Sequence, residues 1–132
     1  MRAGILIPLL LAACASSHDG DPCTLDADCG GEVCSRTGVC AAAATVRAVH
    51  VTLTVHGAAP TPATCTAFDP LEIDFEGSVP GVAFAPVPCM AGLYSIDKLP
   101  AELDQVFLGP QTGAFAAQAI IATDGTAKLD LR

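Results

Sequence analysis

Seven cysteines, at positions 14, 23, 29, 34, 40, 65 and 89, hold most of the chemical capacity of this chain. A thiolate can ligate a metal, attack an electrophile or pair as a disulfide, and spacing separates these uses. Cys23, Cys29, Cys34 and Cys40 follow the pattern C-x5-C-x4-C-x5-C. The close C-x2-C pair that presents two thiolates to zinc from one turn is missing, so disulfides are the expected outcome. Four cysteines allow three pairings, and spacing does not choose among them. Between them the only sizeable apolar residues are Leu25, Val33 and Val39, too few for a core, so covalent links must hold this segment together. Cys65 and Cys89 form an even remainder and are expected to bond to each other, closing a loop of about 25 residues.

The other reactive side chains are scattered. His18 stands near Asp19 and Asp21 in a small polar stretch, where an isolated imidazole is expected to be solvated. His50 and His56 share one strand face on the sequence pattern, but six strand residues separate them by about 20 Å, too far for one metal. Ser78 and Ser95 lack the G-x-S-x-G elbow that raises a serine nucleophile. Asp26, Asp28 and Glu32, with Asp19 and Asp21 before them, are dense enough to suggest calcium, yet their spacing is not that of an EF-hand loop, and a solvated acidic loop is expected. Glu72, Asp74 and Glu76 line one strand face and read as a solvated surface. There is no Trp, and the sole Tyr, Tyr94, reads as core, so stacking platforms for sugars or bases are scarce. The expectation is a chain without catalytic residues, metal or cofactor.

Residues 1–13 carry a positive charge at Arg2, an apolar run from Ile5 to Leu11 and then small residues, the plan of a secretory leader. The apolar run is too short to cross a hydrocarbon core, which takes roughly 20 residues. The run Leu11-Ala12-Ala13-Cys14 resembles the lipobox of bacterial lipoproteins at all four positions. That resemblance implies cleavage before Cys14, a diacylglyceryl thioether on its sulfur and an N-acyl chain such as palmitate. Several acyl chains anchor where a single one would not. Ala15 follows where an Asp would mark inner-membrane retention, so in a Gram-negative host the resemblance implies the outer membrane.

The formal charge of −8 becomes −9 once the leader is removed, because five basic residues then face fourteen acidic ones. Arg36, Arg47, Lys98, Lys128 and Arg132 stand one at a time rather than in the clusters that a phosphate backbone attracts, which argues against nucleic acid as a partner.

The elements that position these residues fall into two kinds. Residues 14–22 are small and polar and read as a tether, followed by a cysteine-rich module at 23–40 and an alanine-rich joint at 41–45. The run Cys23-Thr-Leu-Asp-Ala-Asp28-Cys29-Gly-Gly-Glu-Val-Cys34, then Gly38-Val-Cys40, resembles the small repeat of cysteine-rich bacterial surface lipoproteins and half of the N-terminal cysteine-rich domain of Dickkopf proteins. From residue 46 the apolar period becomes two. Val49, Val51, Leu53 and Val55 alternate with His50, Thr52, Thr54 and His56, and Leu71, Ile73 and Phe75 alternate with Glu72, Asp74 and Glu76. Further strands are expected at 82–87, 93–97, 105–109, 114–122 and 128–131, with a turn at Asp124-Gly125. Seven short strands without a helical stretch predict an all-β fold over 46–132, a small antiparallel β-sandwich behind a disulfide-rich, loop-like module. Prolines at 60, 62, 70, 80, 86, 88, 100 and 110 belong at edges and turns. Gly92-Leu-Tyr94-Ser-Ile96, Leu99-Pro100 and Val106-Phe-Leu108 resemble a run in prealbumin-like sandwiches such as carboxypeptidase regulatory domains and surface-protein B repeats, which implies fold and not function.

The function expected from these readings is that of a non-catalytic cell-envelope lipoprotein. It is held to a membrane through its lipid anchor and contacts another envelope protein or serves a structural role. A protease inhibitor or ligand-binding protein presenting the loop between Cys29 and Cys40 is a second reading, and an enzyme whose site leaves no motif is a third.

Overall fold

The computed structural model describes residues 18–132, so the leader, Cys14 and the residues up to 17 lie outside the described part. The cysteine-rich module comes first. A 3-10 turn at Asp26–Cys29 leads into a two-stranded ribbon of β1 (Val33–Cys34) and β2 (Cys40–Ala41), with Cys34 opposite Cys40. Disulfides join Cys23 to Cys34 and Cys29 to Cys40. Cys29 and Cys40 are fully buried, so the interior of this knot is largely sulfur.

Residues 18–22, expected as tether, are bonded into the knot. The Gly20 N–H donates to the Cys40 carbonyl at 2.8 Å, the Cys40 N–H to Asp21 at 2.7 Å and the Cys23 N–H to Gly38 at 2.9 Å. These are backbone bonds between small polar residues, and they leave no apolar period by which a sequence would betray them.

The joint is a 3-10 turn at Ala43–Thr45, and the sandwich follows: β3 (Val46–Val55), a helical turn α1 (Pro62–Cys65), β4 (Leu71–Gly77), β5 (Val82–Val87), β6 (Leu93–Pro100), β7 (Leu103–Pro110), β8 (Ala117–Ile120) and β9 (Thr126–Leu131). One sheet has the order β6-β3-β9 and the other β5-β4-β7-β8. The strand expected at 114–122 shrinks to β8, and α1 is a helical turn too short to carry an apolar period: Thr61 caps it by accepting from the Thr64 N–H at 3.2 Å, and Pro62 opens it.

The seven strands form an all-β sandwich, but its pairing is not wholly antiparallel. β3 pairs antiparallel with β6 and parallel with β9, in register from His50 with Thr126 to Val55 with Leu131. Side chains alternate between faces in either direction of pairing, so the period of two gives a strand's buried face and not its sense. Val49, Val51, Leu53 and Val55 point from the centre of one sheet at Leu71, Ile73 and Phe75 of the other, within a core that also takes Leu99, Leu103, Val106, Leu108, Leu129 and Leu131. The turn into β9 needs its glycine: Gly125 has φ +82°, and a Cβ there would collide with the Ala48 carbonyl.

Two bulges shape the edge strands. On β5, two residues, Ala85 and Pro86, oppose the single Glu72 of β4, so a proline without an N–H sits where the ladder is already interrupted. On β6, Asp97 and Lys98 together oppose Ala48 of β3, and Lys98 takes the left-handed conformation, with φ 53°. The third disulfide joins Cys65 of α1 to Cys89, both buried. Asp69 accepts the Cys89 N–H at 2.9 Å, and the Tyr94 hydroxyl donates to Pro88 at 2.9 Å, so this end of the sandwich is fixed by a covalent and two polar ties.

Replacing both Cys65 and Cys89 by alanine is expected to lower unfolding stability by about 3–4 kcal/mol from the unfolded chain's regained freedom. Urea titration followed by far-UV circular dichroism measures it; a loss below about 1 kcal/mol would mean that the bridge is incidental to the fold.

Candidate functional site

The β6 bulge is the seat of the knot. It brings Asp97 and Lys98 out side by side, and each engages the cysteine-rich module. The Lys98 ammonium reaches both oxygens of Asp26, at 2.7 and 2.6 Å, while the Lys98 carbonyl accepts the Arg36 N–H at 3.0 Å. The Arg36 guanidinium bonds the Asp97 carboxylate and, through Nε at 3.2 Å, the Asp97 carbonyl. Asp26 also accepts the Cys34 N–H at 2.9 Å, so a single carboxylate ties ribbon and sandwich together. Side-chain pairing to Lys98, then the Cys34 N–H, hold Asp26 below the usual carboxylate range, and Arg36 does the same for Asp97. Beside this seam lies a cavity of about 350 Å³ whose walls include Ser35, Thr37, Val79, Pro100 and Glu102.

The acidic residues considered for calcium have other work. Asp28 accepts from the backbone N–H groups of Thr24 and Leu25, each at 3.0 Å, which closes the turn before Cys29 and lowers its own pKa. His18 lies 3.2 Å from Asp21 with its ring against Gly30, packed on the knot rather than solvated in a linker. The Sγ atoms of Cys23, Cys29 and Cys40 lie within 4.8 Å of one another, a clustering that would suit a metal, but each sulfur is spent in a disulfide.

The histidines of the first long strand separate. His56 falls beyond the end of β3, in a turn with φ 52°, whereas His50 stays on the strand. Pairing with β6 sets Ser95 opposite His50, and the imidazole Nδ1 lies 2.9 Å from the Ser95 hydroxyl. Sequence motifs missed this pair because it is made by strand register between residues far apart in the chain. Nucleophile and base are at working distance. Both side chains are exposed, however, and among the described residues no carboxylate holds the second imidazole nitrogen, so the pair lacks the orienting third member of a triad. Tyr94 is core, as the sequence suggests; burial, then the nearby Asp69 charge, push its hydroxyl up to about 12.

The outer face of the four-stranded sheet is chemically different. Glu72, Asp74 and Glu76 alternate with the buried residues of β4 and so share this face with their cross-strand partners Gly109, Phe107 and Gln105. Phe107 meets Phe115 with ring centroids 5.5 Å apart, and Ile120, opposite Gln105, is 70% exposed. A depression of about 490 Å³ is walled by Asp74, Glu76, Gly77, Val79, Gly81, Val82 and Ala83.

Two outcomes follow from the polar ties. Lys98→Ala removes the clamp on Asp26 but no core contact. Amide exchange of Arg36 and Cys34 is expected to quicken while that of Val51 and Ile73 holds; equal quickening everywhere would mean that the seam and the sandwich open as one. On acidification, each carboxylate with a lowered folded pKa contributes stability that is complete above its ordinary value of 3.8 and is lost as pH falls through the folded value. For Asp130, held to about 2 first by the Gly57 N–H and then by Arg132 and Thr54, that window runs from about pH 4 to 2. The thermal midpoint is expected to stay level from neutrality to about pH 5 and then to fall, less steeply in Asp130→Asn; an unchanged slope would deny Asp130 a share.

No protein family, no curated protein and no solved structure matches this chain.

Proposed function

We propose that this chain is a non-catalytic lipoprotein of the cell envelope, lipid-anchored at Cys14, whose oxidised body binds another envelope protein. The carrying observation is a matter of pairing: of seven cysteines, six are consumed in three intrachain disulfides, and the one left over is the cysteine of Leu11-Ala12-Ala13-Cys14. An odd cysteine in an oxidised, exported chain calls for a separate use, and acylation in the lipobox supplies one. No helix among the described residues is long and apolar enough to cross a membrane, so in this reading the acyl chains do the anchoring. In a Gram-negative host the destination is the outer membrane. Nucleic acid is not a partner in this reading, since the five cations after Cys14 stay dispersed and two of them, Arg36 and Lys98, are committed to the seam.

The protease-inhibitor alternative draws little support from the loop between Cys29 and Cys40. Inhibitory loops present an exposed, convex tip to the enzyme, whereas here Ser35 is buried and Arg36 is bonded to the sandwich.

The test is the intact mass of the protein made from its whole gene with its own leader and taken from membranes. Expected are an N-terminal Cys14 carrying diacylglyceryl and acyl groups, and six thiols that react with iodoacetamide only after reduction. Cys14→Ser is expected to move the protein into the soluble fraction. A free, unmodified Cys14 in the mature chain would end the proposal.

A further inference from the structure

We infer that the outer face of the four-stranded sheet docks an extended basic segment of a partner protein, with Lys or Arg at alternate positions. This rests on the reading of the chain as a binding module and names the chemistry of what it binds. Charge is divided unevenly between the sheets. β3, β6 and β9 mix Arg47, Lys98 and Lys128 with Asp97 and Asp130, whereas β4, β5, β7 and β8 hold Glu72, Asp74, Glu76 and Asp104 and not one Lys, Arg or His.

The carboxylates of the first sheet and the knot are employed within the fold: Asp26 with Lys98, Asp97 with Arg36, Asp130 with Arg132 and Thr54, Asp28 on its turn. Glu72, Asp74 and Glu76 have no side-chain partner among the described residues, although two of them are only half exposed. Like charges on alternate positions of one strand, about 7 Å apart, repel weakly, and no cation on this sheet offsets them. Complementary charge on a partner removes that cost and steers the encounter.

Geometry selects an extended occupant. Carboxylates at alternate strand positions repeat about every 7 Å, and so do side chains on one side of an extended peptide, which lets successive cations meet Glu72, Asp74 and Glu76 in register. Beside Glu72 the backbone of Ala114–Ala116 lies over Gly109 and closes that flank, and beyond it the residues beside the acidic line suit the rest of such a segment. Asp74 is flanked by Phe107, whose ring with Phe115 offers an aromatic face to a cation or its methylene stem, and Ile120 adds exposed apolar area. The depression between Asp74 and Gly81 gives one side chain a recess.

The test uses the full-length lipidated protein in a neutral detergent and a fluorescein-labelled peptide of alternating lysine and threonine. The comparison peptide has the same composition with its lysines in one block. Fluorescence anisotropy is expected to show the alternating peptide binding more tightly, with affinity falling as salt is raised. The variant Glu72→Gln/Asp74→Asn/Glu76→Gln is expected to weaken binding about tenfold, and Phe115→Ala severalfold. Asp19→Asn/Asp21→Asn/Glu102→Gln removes the same charge elsewhere and is expected to change it less than about twofold. Equal losses in the two triple variants, or no preference between the peptides, would reduce the effect to net charge and overturn the inference. So would a concentration-dependent dimer that the first triple variant abolishes, which would assign the face to a second copy. Failure here with a lipidated Cys14 sinks the docking face alone, whereas an unmodified Cys14 with peptide binding intact sinks the anchored-lipoprotein reading alone.

Discussion

Everything in this molecule is arranged around the shortage of apolar interior. The sandwich buries a single cluster in which β3 and β4 supply seven side chains, Val49, Val51, Leu53, Val55, Leu71, Ile73 and Phe75, and the knot in front of it buries little besides sulfur. Small domains bury a smaller fraction of their surface than large ones and need other ties. Here those ties are three disulfides and a short list of charged contacts, and those of the knot and its seam lie where the β3–β4 core does not reach. Cys23–Cys34 and Cys29–Cys40 hold the ribbon, Cys65–Cys89 lies within the core cluster and ties the long β3–β4 connection to the short β5–β6 one, and Asp26, Lys98, Arg36 and Asp97 close the joint between the two parts.

The joint depends on a defect in the sheet. Without the extra residue on β6, Asp97 and Lys98 would alternate to opposite faces as strand neighbours do. The bulge, with Lys98 left-handed, lets both face the knot while Ile96 and Leu99 keep their register on β3. A non-glycine residue in that conformation carries a cost, offset by the bonds its side chain and carbonyl make to Asp26 and Arg36.

What the sequence discloses and what it conceals divide along physical lines. The alternation in 49–55 and 71–76 marks buried faces because burial on a pleated strand has a period of two, and both strands are present with those faces inward. Direction and register leave no such mark, so the parallel β3–β9 pair and the meeting of His50 with Ser95 emerge only in three dimensions. The bulge at Asp97–Lys98 was equally hidden, since nothing in Ile96-Asp97-Lys98-Leu99 resembles a glycine-marked bulge. The acidic loop Asp26–Glu32 illustrates a different limit: sequence shows carboxylates at high density but not the N–H groups and the lysine that claim them. The face formed by Glu72, Asp74 and Glu76 was legible as exposed, while its aromatic neighbours came from β7 and from the loop before β8.

The first described residues are pinned where the chain turns toward the sandwich: Gly20 and Asp21 bond Cys40, and Cys40 is bridged to Cys29 and leads through the Ala43–Thr45 turn into β3. Traction applied at His18 therefore reaches β3, a strand paired on both sides, only after crossing a cross-linked ribbon. A strand paired on both sides and loaded along its length breaks many hydrogen bonds together rather than peeling them in turn.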